Sequence, residues 1–270
     1  MDQQSPRPPL DATAISENLV GSGLAWRRLD VVAETGSTNA DLMARSAAGE
    51  DVDGTVLLAE FQSAGRGRHG RHWSAPPRAQ IALSVGVNGA SVPRSGWGWL
   101  PLLTGVAVVD ALAGVTEVTA GLKWPNDVVV GDGKLAGILA EVAAPAPVII
   151  VGLGLNVTLT ADEAPDPVAT SLSMLGSPID RNTLVRRILR ELAGRIDAWR
   201  SAGGADPELV AAYQRHSATL GSRVRATLPG DRDIVGVARA IDELGRLCID
   251  TGESIETVSA GDITHLRPST

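Results

Sequence analysis

Between residues 128 and 157 three apolar runs follow one another with very little chain between them. Val128-Val129-Val130 leads into the turn Gly131-Asp132-Gly133, Lys134 to Val142 leads into a Pro-Ala-Pro turn, and Val148 to Val157 ends the block. Parallel neighbours need a crossover of about a dozen residues or more, so links this short predict antiparallel hairpins and a mixed sheet rather than a doubly wound one. Further strands are expected over Arg27–Glu34, Thr55–Phe61 and Gln80–Val87. Thr38 is the expected cap of a helix from Asn39 to Ala48, with Asp41 near its positive end and Gly49 as its stop. The apolar stretch Trp97–Val115 carries Thr104 and Asp110, which predicts a buried core helix around Leu102–Ala113 rather than a membrane span. Asp180 opens a long helix with the stripe Leu184, Ile188, Leu192, Ile196 and Trp199, and Asp206-Pro207 opens another. The expected class is α+β, a mixed sheet flanked by helices.

From Gly221 the texture changes to short alternating runs: Arg223–Leu228, Ile234–Ile241, Leu247–Asp250 and Ile255–Val258. Turns at Pro229-Gly230-Asp231, Glu243-Leu244-Gly245 and Thr251-Gly252-Glu253 separate them, and that spacing predicts a small β-barrel. The chain thus divides into a partly disordered N-terminal extension over 1–24, a main domain over 25–220 and a small domain over 221–270. A net charge of −7 argues against a general nucleic-acid binder, which needs a basic surface. Cys248 is the only cysteine, so no intrachain disulfide forms and a reducing compartment is expected. Met1-Asp2-Gln3-Gln4-Ser5-Pro6 lacks the basic and apolar regions of a signal peptide, which places the chain in the cytoplasm and off the membrane.

Against this acidic background, residues 65–73 read Gly-Arg-Gly-Arg-His-Gly-Arg-His-Trp. The glycines let backbone come close to a ligand, and Arg66, Arg68 and Arg71 offer planar forks of donors suited to carboxylate or phosphate. The spacing matches G-x-G-x-x-G, but a dinucleotide site needs a helix opening at the glycines and an acidic residue about 20 positions on. Here Ser74-Ala75-Pro76-Pro77 follows and Asn88 stands at that position. No Gly-Lys-Ser/Thr closes the loop as a P-loop would. What remains is a phosphate- or carboxylate-binding loop of another kind, or a solvated basic turn.

Further motifs decide between these. Ser37-Thr38-Asn39, Gln62, Lys123-Trp124-Pro125-Asn126-Asp127, Lys134-Leu135-Ala136-Gly137 with Glu141 following, and Gly152-Leu153-Gly154-Leu155-Asn156 lie at strand ends or in loops. Taken singly each has a structural explanation as a cap, a turn or a tightly packed strand. As an ordered set they resemble the catalytic domain of biotin–protein ligases over residues 28–160, and the C-terminal segment is similar to that family's SH3-like domain. The histidines His69 and His72 stand at loop positions that vary in the family.

The resemblance implies ATP-dependent activation of biotin to biotinyl-5′-AMP, then transfer to a lysine of a biotin carboxyl carrier domain. The implied partner is the carrier domain of an acyl-CoA carboxylase or pyruvate carboxylase, met transiently. No permanent cofactor is implied; biotin and ATP are substrates, and Mg2+ comes as MgATP. Lys134 and Arg68 are implied as the catalytic pair. Ser37, Thr38, Asn39, Gln62, Gly65, Arg66, Gly67, Arg68, Lys134 and Gly137 would hold biotin. Arg68, Arg71, Trp73, Lys123, Asn126, Lys134 and Asn156 would hold ATP and the adenylate. No residue is assigned as a metal ligand; Asp127 is a candidate only for a water-mediated contact. The acidic, proline-bearing segment Ala161–Thr170 suits a lid. A lipoate or octanoate ligase or transferase of related fold is the nearest alternative. A biotin-responsive repressor is disfavoured, because the residues ahead of the first strand are too few for a winged helix.

Overall fold

The computed structural model describes residues 7–21, 23–144, 147–228, 232–259 and 261–266. The expected disorder of residues 1–6 and parts of the turns at 145–147 and 229–231 lie outside them. Seven strands form the main sheet, in the order β1-β2-β3-β7-β6-β5-β4. They are β1 (Arg28–Val32), β2 (Thr55–Ala59), β3 (Gln80–Asn88), β4 (Gly121–Lys123), β5 (Asp127–Val130), β6 (Gly133–Ala143) and β7 (Val148–Asn156). Only β1 and β2 pair in parallel, joined across α2 (Thr38–Ala47); every other neighbouring pair is antiparallel, which the short turns require from β4 to β7.

Helix α2 begins one residue earlier than its composition implied. Ser37 is the cap, in extended conformation with its side chain accepting from the Ala40 amide at 3.5 Å, while Thr38 is the first helical residue and turns inward. Both types cap well; here the Thr38 side chain is engaged by Gln62 and Ser84, which leaves Ser37 to cap.

The core lies between the sheet and two helices, α3 (Trp99–Ala113) and α4 (Arg181–Ala202). The stretch Arg94–Ala113 is long and apolar enough to cross a membrane, yet almost every residue of α3 is buried in the fold. Helix α4 is amphipathic, capped by Asp180 and ended by Gly203 at φ 68°, and it packs its apolar stripe on α3. Helix α5 (Pro207–His216), capped by Asp206 with proline in its first turn, covers the other flank. Residues 7–21 do not hang free of this core: α1 (Ala12–Ser16) and its flanks bury Leu10, Ile15 and Leu19 in it. Apolar residues at that spacing fold against α4 despite the polar start of the chain.

The small domain is a five-stranded antiparallel sheet in the order β11-β10-β9-β8-β12, consistent with the SH3-like expectation. Its strands are β8 (Arg223–Leu228), β9 (Arg232–Ile241), β10 (Leu247–Asp250), β11 (Ile255–Val258) and β12 (Asp262–His265). Neither β12 nor β4 was legible from the sequence. The β9–β10 turn docks the two domains together: Trp124 Nε1 donates to Gly245 O and Trp99 Nε1 to Glu243 O, each at 3.0 Å. Gly98 is needed at this junction, because a Cβ there would stand 2.6 Å from Leu244 O.

Candidate active site

Period-2 alternation turns the Gly-x-Gly-x-Asn motif of β7 into a floor. Gly152, Gly154 and Asn156 share one face, opposite Ser84, Ala82 and Gln80 of β3 and, for the glycines, Leu139 and Gly137 of β6. A Cβ on Gly152 would come within 2.3 Å of Asn39 Oδ1, and one on Gly154 within 2.3 Å of Trp73 Nε1. The glycines are therefore seats for two functional side chains rather than generic flexibility. Over this floor opens a cleft of about 570 Å³, the size of a small-molecule site.

At one end the walls are mainly neutral, and several of their polar groups hydrogen-bond to one another. Thr38 donates from both its amide and its hydroxyl to Gln62 Oε1, at 2.9 and 3.0 Å. Ser84 Oγ lies 2.7 Å from both Thr38 Oγ1 and Asn39 Oδ1, and Asn39 Nδ2 donates to Glu141 Oε2 at 2.9 Å. Glu141 also pairs with Arg66 at 2.8 Å, which ties the Gly/Arg loop to β6.

At the other end the walls are cationic. The loop is a tight hairpin closed by Gly67 N to Arg71 O at 2.7 Å and Trp73 N to Gly65 O at 2.9 Å. His69 takes a left-handed conformation at its tip, φ 54°. Arg68 reaches Asn126 Oδ1 at 3.3 Å and Gly261 O at 3.4 Å. Burial presses its guanidinium toward the neutral form, as does Arg71, while the carboxylates of Asp262 and Asp127 oppose this. An arginine so placed stays charged near neutral pH. Arg71 is ion-paired to Asp262 of β12. Lys134 is paired to Asp127 Oδ1 at 2.7 Å, with its ammonium 5.7 Å from the Trp73 ring centroid. Asn126 and Asn156 hold the backbone beneath, donating to Ile138 O and Thr170 O, each at 2.9 Å.

Every residue implied by the resemblance lines this cleft except Gly65. Gly65 works from behind: a Cβ there would lie 2.3 Å from Trp73 O, so the glycine lets the two arms of the loop close. The segment read as a lid contributes Pro165, Asp166, Val168 and Ala169, and it is clipped to β6 by Lys134 N to Val168 O at 2.6 Å and Thr170 N to Lys134 O at 2.9 Å. Sequence reasoning missed the contribution of the small domain, whose Thr227, Asp262, Ile263 and Thr264 complete the wall. It also missed Ser84, which only the cross-strand register of β3 would have revealed. Among the described residues no group of three or more His, Cys, Asp or Glu is placed to hold a metal ion.

Residues 35–156 match the model of the biotin/lipoate A/B protein ligase family, and residues 219–266 match that of the biotin protein ligase C-terminal domain. The chain is 56% identical to the biotin–[acetyl-CoA-carboxylase] ligase of Mycobacterium tuberculosis, over 98% of this chain and 99% of that protein. It is 30% identical to the bifunctional ligase/repressor BirA of Escherichia coli, over 94% of this chain and 78% of that protein. Among solved structures, the biotin protein ligase of Aquifex aeolicus in complex with biotin and ATP superposes with a TM-score of 0.76 at 28% identity, covering 90% of this chain and all of that one. With both family models matched in order and the cleft residues gathered on one floor, the chain belongs to the biotin–protein ligase family.

Proposed function

We propose that this protein is an ATP-dependent biotin–protein ligase that acts in the cytoplasm on the carrier domain of a biotin-dependent carboxylase, an acyl-CoA or pyruvate carboxylase. The observation that carries the reading is the polarity of one cleft: neutral hydrogen-bonding groups at one end, Arg68, Arg71 and Lys134 at the other. A ureido ring fits the first end, because Ser37, Thr38, Asn39 and Gln62 supply both donors and acceptors there. Arg66, Gly67 and Gly137 border the same ligand.

In the first half-reaction a biotin carboxylate oxygen attacks the α-phosphorus, the bond to the β-phosphate oxygen breaks, and pyrophosphate leaves. Two anions must meet, and at contact distance their repulsion amounts to several kcal/mol outside bulk water. Lys134, Arg68 and Arg71 line the cleft; the Lys134 ammonium would neutralise both partners, and the two arginines would take phosphate oxygens. Trp73 would cover the adenylate, with Lys123, Asn126 and Asn156 holding the nucleotide. Mg2+ would arrive as MgATP and offset phosphate charge; Asp127 is the carboxylate nearest Lys134, suited to a contact through water. In the second half-reaction the ε-amine of the carrier lysine attacks the anhydride carbonyl. The amide forms, AMP leaves and the amine loses a proton. Closure by the loop and the 161–170 segment would keep water from the anhydride.

The family model also covers lipoate ligases, so the decisive experiment is ATP–pyrophosphate exchange with biotin, lipoate and octanoate in parallel. Exchange driven by biotin alone is expected; exchange driven by lipoate or octanoate instead would overturn the reading.

A further inference from the structure

Trp73 rests on the site floor, seated by glycines under its face and hydrogen-bonded at its edge. A tryptophan ring turns about its last side-chain torsion between two broad, roughly opposite settings. Gly154 and Gly137 leave room for the ring face, with would-be Cβ positions 2.3 Å and 3.1 Å from indole atoms. The setting adopted turns the edge bearing Nε1–H to Gln80, and the N–H donates to its side-chain oxygen. Gln80 opens β3, is 1% exposed, and stands across from Asn156 of the Gly-x-Gly-x-Asn motif.

Gln80 is itself held from behind. Its backbone carbonyl accepts from Arg181 Nη1 at 3.2 Å, and Arg181 forms a buried ion pair with Glu60 at 2.8 Å. Arg181 also donates to Pro8 O at 2.6 Å, and Glu60 Oε1 accepts from Leu10 N at 2.5 Å. Arg181 thereby ties the carbonyl that opens β3 to Glu60 and to the segment around Pro8 and Leu10. The indole in turn faces the Lys134 ammonium at 5.7 Å, a cation–π distance.

We infer that Gln80 is a positioning residue of the ligase site: by accepting from the Trp73 indole N–H it selects the ring orientation that walls the adenylate and supports Lys134. The inference rests on the ligase reading above. It assigns Gln80 no contact with substrate.

Gln80→Met keeps length and volume but removes the acceptor, and Gln80→Leu serves in its place should that variant fail to fold. In a nitrogen–proton correlation spectrum the six indole resonances report the six tryptophans, and the one lost in Trp73→Phe identifies Trp73. Gln80→Met should shift that resonance and leave the others in place. Release of preformed biotinyl-5′-AMP should quicken about 3–10-fold, the range expected for one lost hydrogen bond. In the Trp73→Phe background, where no N–H remains, the same substitution should change the release rate little or partly reverse its loss. An unmoved Trp73 resonance, or an equal effect of Gln80→Met in both backgrounds, overturns the inference. Absence of biotin-dependent pyrophosphate exchange in the unmodified protein would instead overturn the ligase reading, and the spectrum would still judge the Gln80 contact.

Discussion

The two ends of the cleft are built on opposite principles. At the neutral end, Thr38, Asn39, Gln62 and Ser84 hydrogen-bond to one another with Ser37, Thr38 and Asn39 nearly buried. At the cationic end, Lys134 and Arg71 are more exposed and paired to Asp127 and Asp262. A neutral ligand recognised by shape and donor pattern calls for groups already held in place, since each side chain ordered on binding costs affinity. A highly charged ligand that must arrive, react and leave in pieces calls for the reverse. On the proposed ligase reading, Asp127 and Asp262 would keep these cations in place until phosphate oxygens take over, and would reclaim them when pyrophosphate or AMP departs.

That contrast predicts where substitutions should act, and by how much. The largest effect belongs to Lys134→Ala, because removing a transition-state charge partner from a shielded site costs on the order of 10²–10³-fold. Biotin-dependent pyrophosphate exchange should fall by that factor with the fold retained, as read by circular dichroism; unchanged exchange would remove Lys134 from the chemistry. Arg68→Gly should come next and should separate retention from synthesis. Charge-assisted hydrogen bonds are worth about 1.5–3 kcal/mol, so adenylate should escape roughly 10–150-fold faster while still being made. The check is biotin labelling of added albumin, probed with streptavidin: a variant that makes adenylate but labels albumin no more than the parent shows that Arg68 does not retain it.

Ser84→Ala tests the preorganised end. Losing one buried neutral hydrogen bond should raise the KM for biotin about 2–10-fold with kcat nearly unchanged, the pattern of lost uniform binding. A fall in kcat instead would mean that the neutral end also takes part in the reaction step. The smallest effect is expected for Asp262→Asn, which frees Arg71 from an exposed pair worth about 0–1 kcal/mol. The KM for ATP should fall by up to about 5-fold, and an increase would show that Asp262 aids nucleotide binding rather than competing with it.

How far the site was legible follows from distance along the chain. The hairpins of β5, β6 and β7 follow from turn length, and the loop chemistry of 65–73 follows from residue type. The helix cap was misread by one residue because Ser37 and Thr38 are both good caps, and only the contacts of Thr38 with Gln62 and Ser84 decide between them. Asp262 could not be assigned, since its role depends on β12 pairing with β8 and on Arg71, 191 positions away, meeting it across the domain junction. Gln80 looked like any polar residue at the start of a strand, because its partner is set by the seat that Gly154 leaves for Trp73.

By itself the sequence determined the chemistry on offer: arginines and a lysine near glycines, polar side chains for a neutral ring, and short turns that force antiparallel strands. Propensity, period and turn length are local, so they are readable without a structure. Only the tertiary structure decided which carboxylate parks which cation, which small residue seats which ring, and that residues 7–21 belong to the core. Those facts are contacts between distant parts of the chain. They depend on strand register and domain docking, where a shift of one residue would carry the groups to the other face.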